Sequence, residues 1–168
     1  MHDNYYRCLR HMPPSQRAKV NFDHPESLET SLLCQHLDAL RLGSIVQIPT
    51  YCFAEHARLD ETIQMSPSNV VFVDGVLVLS EPALRSKFDF SVYVHTDDRV
   101  RLQRRIDRDV VDRGRTPGSV VDQWNESVMP MHRQFVEPSR QFADCEIQNN
   151  DDSLPEIDRI VEKINASL

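Results

Sequence analysis

Apolar residues recur at helical spacing between residues 21 and 43. Leucines occupy positions 28, 32, 33, 37 and 40 of NFDHPESLETSLLCQHLDALRLG, which places one apolar stripe along a helix. Asp23, with Glu26 three residues later, has the spacing of a capping box, and Gly43 offers a C-terminal stop. The pattern therefore predicts an amphipathic helix that begins near Asp23.

The next two segments alternate apolar and polar residues around a short polar link, and they read SIVQIPTYCF (44–53) and ARLDETIQMSP (57–67). This alternation predicts a β-hairpin standing off the main sheet. Continuous apolar runs follow, from Val70 to Leu79 and from Phe90 to Thr96. Such runs are typical of parallel strands that are covered on both faces. The first of them contains the acid and glycine pair Asp74 and Gly75.

The remainder of the chain predicts helices and one strand. Thr96 can cap a helix with an apolar stripe of Leu102, Ile106 and Val110, which ends at Gly114. Three further elements complete the chain: a helix from Val120 to about Phe135, a short strand from Ala143 to Gln148, and an amphipathic helix from Leu154 to Ile164. Without an internal repeat, residues 1–168 are predicted to form one α/β domain.

Composition narrows the class of protein. A chain of 168 residues that is 40% hydrophobic and 27% charged is typical of a globular domain. No apolar run approaches the roughly 20 residues that span a bilayer, and the N-terminus lacks the apolar centre of a signal peptide, so the cytoplasm is the expected location. Four separated cysteines predict reduced, structural thiols. The seven histidines lack the paired spacing of a metal site.

Charge is concentrated in one segment. Seven of the 19 Lys and Arg residues lie between Arg99 and Arg115, although the formal net charge is -7. Each guanidinium can hold two phosphate oxygens, while the acidic chain repels polyanions. A nucleic-acid partner is therefore disfavoured, and a small phosphorylated ligand is predicted. Beside two buried strands, this is the arrangement expected of a nucleotide-using α/β kinase.

Six segments, in this order and spacing, resemble the uridine kinase family over roughly residues 2–147. They are DNYYR (3–7), NFDHP (21–25), PTYCFAEHAR (49–58), VDGVLVL (73–79), RRIDRDVVDRGR (104–115) and FVEPSRQFAD (135–144). The resemblance implies a P-loop kinase-like parallel sheet flanked by helices. It also implies that the γ-phosphoryl of ATP or GTP, with Mg²⁺, is transferred to the 5'-hydroxyl of uridine or cytidine in pyrimidine salvage.

The phosphate-binding loop G-x-x-x-x-G-K-[ST] is absent from the sequence, which has only four glycines. The resemblance implies the sheet order 2-3-1-4-5, in which the first strand and this loop lie between the strands predicted at 70–79 and 90–96. We therefore expect a partial domain, truncated before or within the second strand and inactive by itself. Unpaired buried backbone groups beside the gap would each cost about 1 to 3 kcal/mol.

Two acids match the acceptor site of the family. Asp3 corresponds to the candidate base for the 5'-hydroxyl, although a lone acid near a terminus is usually solvated. Asp23 corresponds to the ligand of the ribose hydroxyls, but helix capping would explain Asp23 without any ligand.

Aromatic residues of the hairpin match the base-recognition residues of the family. By resemblance, Tyr51 and Phe53 stack on the pyrimidine, and His56 binds its edge. A packed aromatic pair with a surface histidine is the alternative. Tyr6 and Val76 match further nucleoside contacts.

The cationic and metal-binding positions come from the same resemblance. Asp74 corresponds to an acid that helps hold Mg²⁺, where the family more often has Glu. Four arginines and one glutamine match lid, catalytic and substrate contacts: Arg105, Arg108, Arg113, Arg115 and Gln123. The alternative is a solvated helix face paired with Asp107, Asp109 and Asp112. Gly114 favours the first interpretation because it permits the bend that directs the flanking arginines inward.

Two departures weaken the donor site. His95 stands where the family usually has an acid, and QNNDD replaces a P-R-G-like turn near the nucleotide base. A non-catalytic nucleoside-binding or regulatory module is therefore the alternative function. The resemblance also suggests a homo-oligomer.

Overall fold

The structure is a computed structural model, and it describes residues 1–17, 19–150 and 155–165. Strands run over Val46–Cys52 (β1), Ala57–Met65 (β2), Val92–His95 (β3) and Cys145–Gln148 (β4). Helices run over Pro14–Arg17 (α1), Thr30–Arg41 (α2), Pro82–Arg85 (α3), Asp98–Arg113 (α4), Pro117–Gln123 (α5), Met129–Met131 (α6) and Pro155–Asn165 (α7). Short 3-10 turns cover His2–Tyr5 and Pro25–Ser27. The predicted C-terminal helix is confirmed as α7, except for Leu154, which lies outside the described residues.

The predicted hairpin is confirmed. β1 and β2 pair antiparallel, with Val46 opposite Met65 and Cys52 opposite Ala57. His56 closes the turn with φ 49°, in the left-handed region that few residues other than glycine adopt.

A parallel pair of strands forms the second sheet. β3 lies beside β4, with Val92 opposite Cys145 and His95 opposite Gln148. This pairing confirms two predicted strands and the parallel arrangement of the α/β class.

The strand predicted from Val70 to Leu79 is wrong. Residues 71–75 have no strand assignment and residues 76–80 form turns. The backbone N–H of His2 donates to the Asp74 carbonyl at 2.7 Å, but no ladder of such bonds follows among the described residues. An apolar run forms a strand only when a neighbouring strand pairs with it, and here Phe72 is 77% exposed.

Helix α2 begins later than predicted. Asp23 does not cap it, because the preceding residues form the 3-10 turn Pro25–Ser27, where the N–H of Glu26 donates to His24 Nδ1 at 3.2 Å. The C-terminal stop is confirmed: Gly43 has φ 81° and the N–H of Ser44 donates to the Ala39 carbonyl.

Asp97 rather than Thr96 occupies the N-cap position of helix α4, without a side-chain capping hydrogen bond, and Gly114 ends the helix with φ 61°. Its predicted apolar stripe is partly wrong, because Val110 is 37% exposed. The buried residue of this helix is Asp109, an acid among arginines.

The predicted second helix extends as one helical stretch from α5 to Phe142. It includes two π-helical segments, Trp124–Val128 and His132–Val136. Pro130 and Pro138 follow them and cannot donate to the carbonyl four residues earlier, which accounts for the two wide turns.

The core positions the N-terminal segment. Tyr5, Leu33, Leu37 and Leu84 form one buried cluster, and the Tyr5 hydroxyl lies 3.0 Å from His36 Nδ1. Buried His2 packs against Gly75 so closely that a Cβ at position 75 would lie 2.5 Å from the His2 Cβ. Within the described residues, no helix is long and apolar enough to cross a membrane.

Candidate functional site

Aromatic rings from three parts of the chain meet around Tyr6. Its ring centroid lies 5.2 Å from that of Tyr51, 5.7 Å from Phe22 and 6.4 Å from Phe53. His56 stacks on Phe22 with centroids 4.5 Å apart and an interplanar angle of 14°. Phe53 is 50% exposed, so the cluster presents an aromatic face to solvent. The structure thus brings together the four predicted aromatic and histidine residues, and it adds Phe22, which the sequence reasoning missed.

Arg58 fixes the hairpin over this cluster. Its guanidinium donates to the carbonyls of Tyr6 and Tyr5 at 2.9 and 3.1 Å, and to Glu29 Oε2 at 2.7 Å. At the hairpin tip, Arg17 donates to the Glu55 carbonyl at 3.0 Å. These bonds hold the turn that carries Phe53 and His56 against the N-terminal segment.

Asp3 lies in a partly buried, electrostatically crowded position. Burial raises the pKa of its carboxyl, and the nearby Asp74 carboxylate raises it further, while the N-terminal ammonium, Arg113 and Arg108 act in the opposite direction. Asp3 and Asp23 both contribute, after burial, to a raised pKa of the Tyr6 hydroxyl. The two predicted acids of the acceptor site therefore flank the same tyrosine.

Asp23 contacts a residue that is distant in the sequence. The Ser127 hydroxyl donates to Asp23 Oδ2 at 2.8 Å, across a separation of 104 residues. Burial lowers the pKa of the Arg105 guanidinium, and nearby Asp23 and Asp109 oppose that shift. Helix capping is therefore excluded as the role of Asp23, and its carboxylate faces a side chain that no sequence pattern had indicated.

Four arginines surround one buried acid, and we call them the arginine cluster: Arg105, Arg108, Arg113 and Arg115. Asp109 has no exposed side-chain surface, and its carboxylate lies 2.8 Å from Arg108, 3.3 Å from both Arg113 and Arg115, and 3.8 Å from Arg105. Burial by itself would raise the pKa of Asp109, but the hydrogen bond from Arg108 and the charges of the cluster hold it below its ordinary value. Asp109 is thus the counter-ion of the cluster.

Gln123, for which the resemblance implies a substrate contact, lies within this cluster. Its Oε1 accepts hydrogen bonds from Arg115 at 2.5 Å and from Arg105 at 3.2 Å. Arg108 and Arg113 lie close enough to Asp3 to lower its pKa, which links the cluster to that acid. Guanidinium groups can each donate two hydrogen bonds to phosphate oxygens, so the arginine cluster is suited to bind a phosphate group.

Asp74 and Val76, the predicted metal ligand and a predicted nucleoside contact, both lie in exposed positions. The described residues contain no group of three or more His, Cys, Asp or Glu side chains arranged to hold a metal ion. Asp74 is exposed beside Asp3, and two such carboxylates are the donors that Mg²⁺ prefers. Val76 is 73% exposed.

The residues that depart from the family pattern contact each other. His95 Nε2 lies 3.5 Å from Asp97, and the N–H of Asp97 donates to Asn150 Oδ1 at 2.8 Å. At this end of β3 and β4, the departing residues therefore interact with Asp97. The pattern G-x-x-x-x-G-K-[ST] does not occur in the sequence.

Comparison with known proteins finds relatives over most of this chain. The chain is 43% identical to a uridine kinase of Chloroflexus aurantiacus, over 99% of this chain and 80% of that protein. It is 46% identical to a uridine kinase of Shewanella piezotolerans, over 84% of this chain and 67% of that protein. A crystal structure described as a fructose transport system kinase from Silicibacter sp. TM1040 shares the fold, with a TM-score of 0.70 and 18% identity over 87% of this chain and 72% of that one.

The sequence comparison also identifies the family of the chain. The sequence profile described as "Phosphoribulokinase / Uridine kinase family" matches residues 3–154. The chain belongs to the phosphoribulokinase / uridine kinase family.

Proposed function

We propose that this chain carries the acceptor site of a uridine/cytidine kinase, which phosphorylates the nucleoside 5'-hydroxyl at the expense of ATP or GTP. The observation that carries the proposal is the convergence on Tyr6 of two acids, an aromatic face and, through Asp3, the arginine cluster. The names of the relatives support the same substrate class.

The pyrimidine base stacks on the aromatic face in this proposal. Tyr51 and Phe53 have centroids 5.3 Å apart, and an aromatic surface of this kind recognises a flat base. His56 hydrogen-bonds the base edge after it leaves Phe22. Asp23 accepts hydrogen bonds from the ribose hydroxyls through Oδ1, because Ser127 donates to Oδ2.

Asp3 takes the proton of the 5'-hydroxyl. A carboxylate whose pKa is raised by burial and by Asp74 is a better base than a solvated one. Arg108, Arg113 and Arg115 neutralise charge on the transferred group, which is most of what phosphoryl transfer asks of a protein. A nucleoside triphosphate would supply the phosphoryl group and Mg²⁺ would neutralise the charge on its oxygens, with Asp74 as the proposed metal ligand.

The 168 residues contain no glycine-rich loop of the pattern G-x-x-x-x-G-K-[ST]. Without its backbone amides and lysine, we propose that the 168-residue chain binds uridine or cytidine but does not phosphorylate either. The alternative proposal is a non-catalytic nucleoside-binding or regulatory module. We further propose that residues 1–168 form one domain and that the protein assembles as a homo-oligomer.

Calorimetry tests the acceptor site. Uridine and cytidine are titrated into the chain, with adenosine as a base control, and a phosphorylation assay with ATP, GTP and Mg²⁺ is run on the same preparation. We expect saturable pyrimidine nucleoside binding, weakened at least tenfold by Asp23→Asn, and no turnover. Absence of binding by folded chain would refute the acceptor site, and robust turnover would refute the role given to the missing loop.

A further inference from the structure

Ser127 holds one oxygen of Asp23 and leaves the other available. The hydroxyl donates to Oδ2 at 2.8 Å in a partly buried position. Oδ1 accepts no hydrogen bond from the described residues. A carboxylate oriented in this way presents one defined acceptor, and neither the sequence pattern nor the relatives' names assign any role to Ser127.

The local helix geometry explains why Ser127 reaches Asp23. Ser127 lies in the π-helical segment Trp124–Val128, which precedes a proline. Buried Trp124 and Met129 anchor the segment on both sides. A wide turn changes the direction of the side chains that follow it, and such turns are frequent at functional sites.

The same helical stretch also holds the arginine cluster. Gln123 lies one turn before Ser127, and its side chain accepts hydrogen bonds from Arg105 and Arg115. The Ser127 hydroxyl lies 3.4 Å from the Gln123 carbonyl. Nearby, the rings of His24 and Phe135 meet edge to face at 4.9 Å, so the residue after Asp23 is also fixed to this helix.

From these contacts we propose that Ser127 is a positioning residue for the acceptor sugar. It orients the Asp23 carboxylate toward the ribose hydroxyls and links that carboxylate to the helix that supports the arginine cluster. The inference rests on the proposed function, because it requires a ribose at Asp23. It adds a residue that acts on the ligand only through another residue.

The test compares two ligands that differ at the ribose. Uridine and 2',3'-dideoxyuridine are titrated by calorimetry into wild type, Ser127→Ala and Ser127→Thr. The lost charged hydrogen bond is expected to weaken uridine binding by about 3- to 10-fold in Ser127→Ala. Binding of the dideoxy analogue is expected to change by less than about twofold, because it lacks the hydroxyls. Ser127→Thr keeps the donor and is expected to restore uridine binding.

A double variant tests whether the effect passes through Asp23. Adding Ser127→Ala to Asp23→Asn is expected to weaken uridine binding no further, because contacting residues are not additive. Asn125→Ala, an exposed position of the same π-helical segment, is the matched control and is expected to bind both ligands as wild type does.

The outcomes separate the two proposals. If wild type binds uridine and Ser127→Ala weakens both ligands equally, or neither, Ser127 is structural and this inference is overturned while the acceptor site stands. If wild type binds neither ligand, the proposed function falls and this inference falls with it.

Discussion

Arg115 returns to Asp109 across a left-handed glycine. The backbone N–H of Arg115 donates to the Asp109 carbonyl at 3.1 Å, and its guanidinium lies 3.3 Å from the Asp109 carboxylate. Gly114, with φ 61°, makes the reversal possible. The backbone and the guanidinium of Arg115 are therefore both positioned by Asp109, whose side chain is fully buried.

Asp109→Asn tests the counter-ion of the arginine cluster. The substitution leaves four guanidinium groups without their shared carboxylate, and breaking a buried pair is strongly destabilising. Because the arginines are partly exposed, we expect a loss of about 3 kcal/mol in the free energy of unfolding, measured in urea. Asp107→Asn, an exposed acid of the same helix, should change it by less than about 0.5 kcal/mol. Equal effects would contradict the central role of Asp109.

Gly114→Ala tests the bend itself. An alanine in the left-handed region costs about 1 kcal/mol, although no atom within 4 Å obstructs a Cβ there. Gly118→Ala is the matched control: it lies in α5, has equally open space, and should stabilise the chain by up to about 1 kcal/mol because alanine favours helix. Thermal unfolding of the two variants checks the opposite signs. A stabilised Gly114→Ala would show that Arg115 does not depend on this conformation.

Asp3→Asn tests how the buried carboxyl of Asp3 affects stability at different pH values. The raised pKa of Asp3 means that the folded state binds this proton more tightly than the unfolded state. The carboxylate therefore lowers stability as pH rises through this range, and the penalty is complete above the folded pKa. We expect Asp3→Asn to unfold at a higher temperature than wild type at pH 7 and at the same temperature near pH 3. A less stable variant at pH 7 would mean that attraction to the N-terminal ammonium, Arg113 and Arg108 outweighs burial and repulsion from Asp74.

His2 gives the opposite pH dependence. Burial, assisted by the N-terminal charge, lowers the pKa of His2 from 6.5 to about 4. The folded state then binds fewer protons than the unfolded state between these values, so stability falls as pH drops from 6.5 to 4. The loss is on the order of 3 kcal/mol.

Urea unfolding between pH 7 and pH 4.5 measures this loss. His2→Gln should flatten the dependence, whereas His11→Gln, at an exposed position, should leave it unchanged. Equal slopes for wild type and His2→Gln would show that His2 does not titrate as described.

Local patterns predicted the elements whose signals lie within a few residues. The hairpin alternation, the leucine spacing of α2 and the glycines at positions 43 and 114 depend on near neighbours, so the sequence was sufficient for them. The apolar run at 70–79 failed for the opposite reason, since a strand is defined by a partner elsewhere in the chain.

The site shows the same division between local and distant contacts. Family motifs supplied Asp3, Asp23, Gln123 and the arginines. The bond from Ser127 to Asp23 and the stacking of Phe22 on His56 join distant segments that no periodicity marks. Asp109 was indicated only as one of three helix acids, because burial of a charge among arginines is decided by tertiary packing.

The contact between His2 and Gly75 restricts which residues can occupy position 75. A library randomised there and screened only for folded product would recover almost exclusively glycine, because any side chain collides with the His2 Cβ. Steric contact with His2 therefore explains the glycine of the pair Asp74 and Gly75, but it does not explain the acid. Only its acid would respond to selection for phosphate transfer, so the two positions should tolerate replacement under different screens.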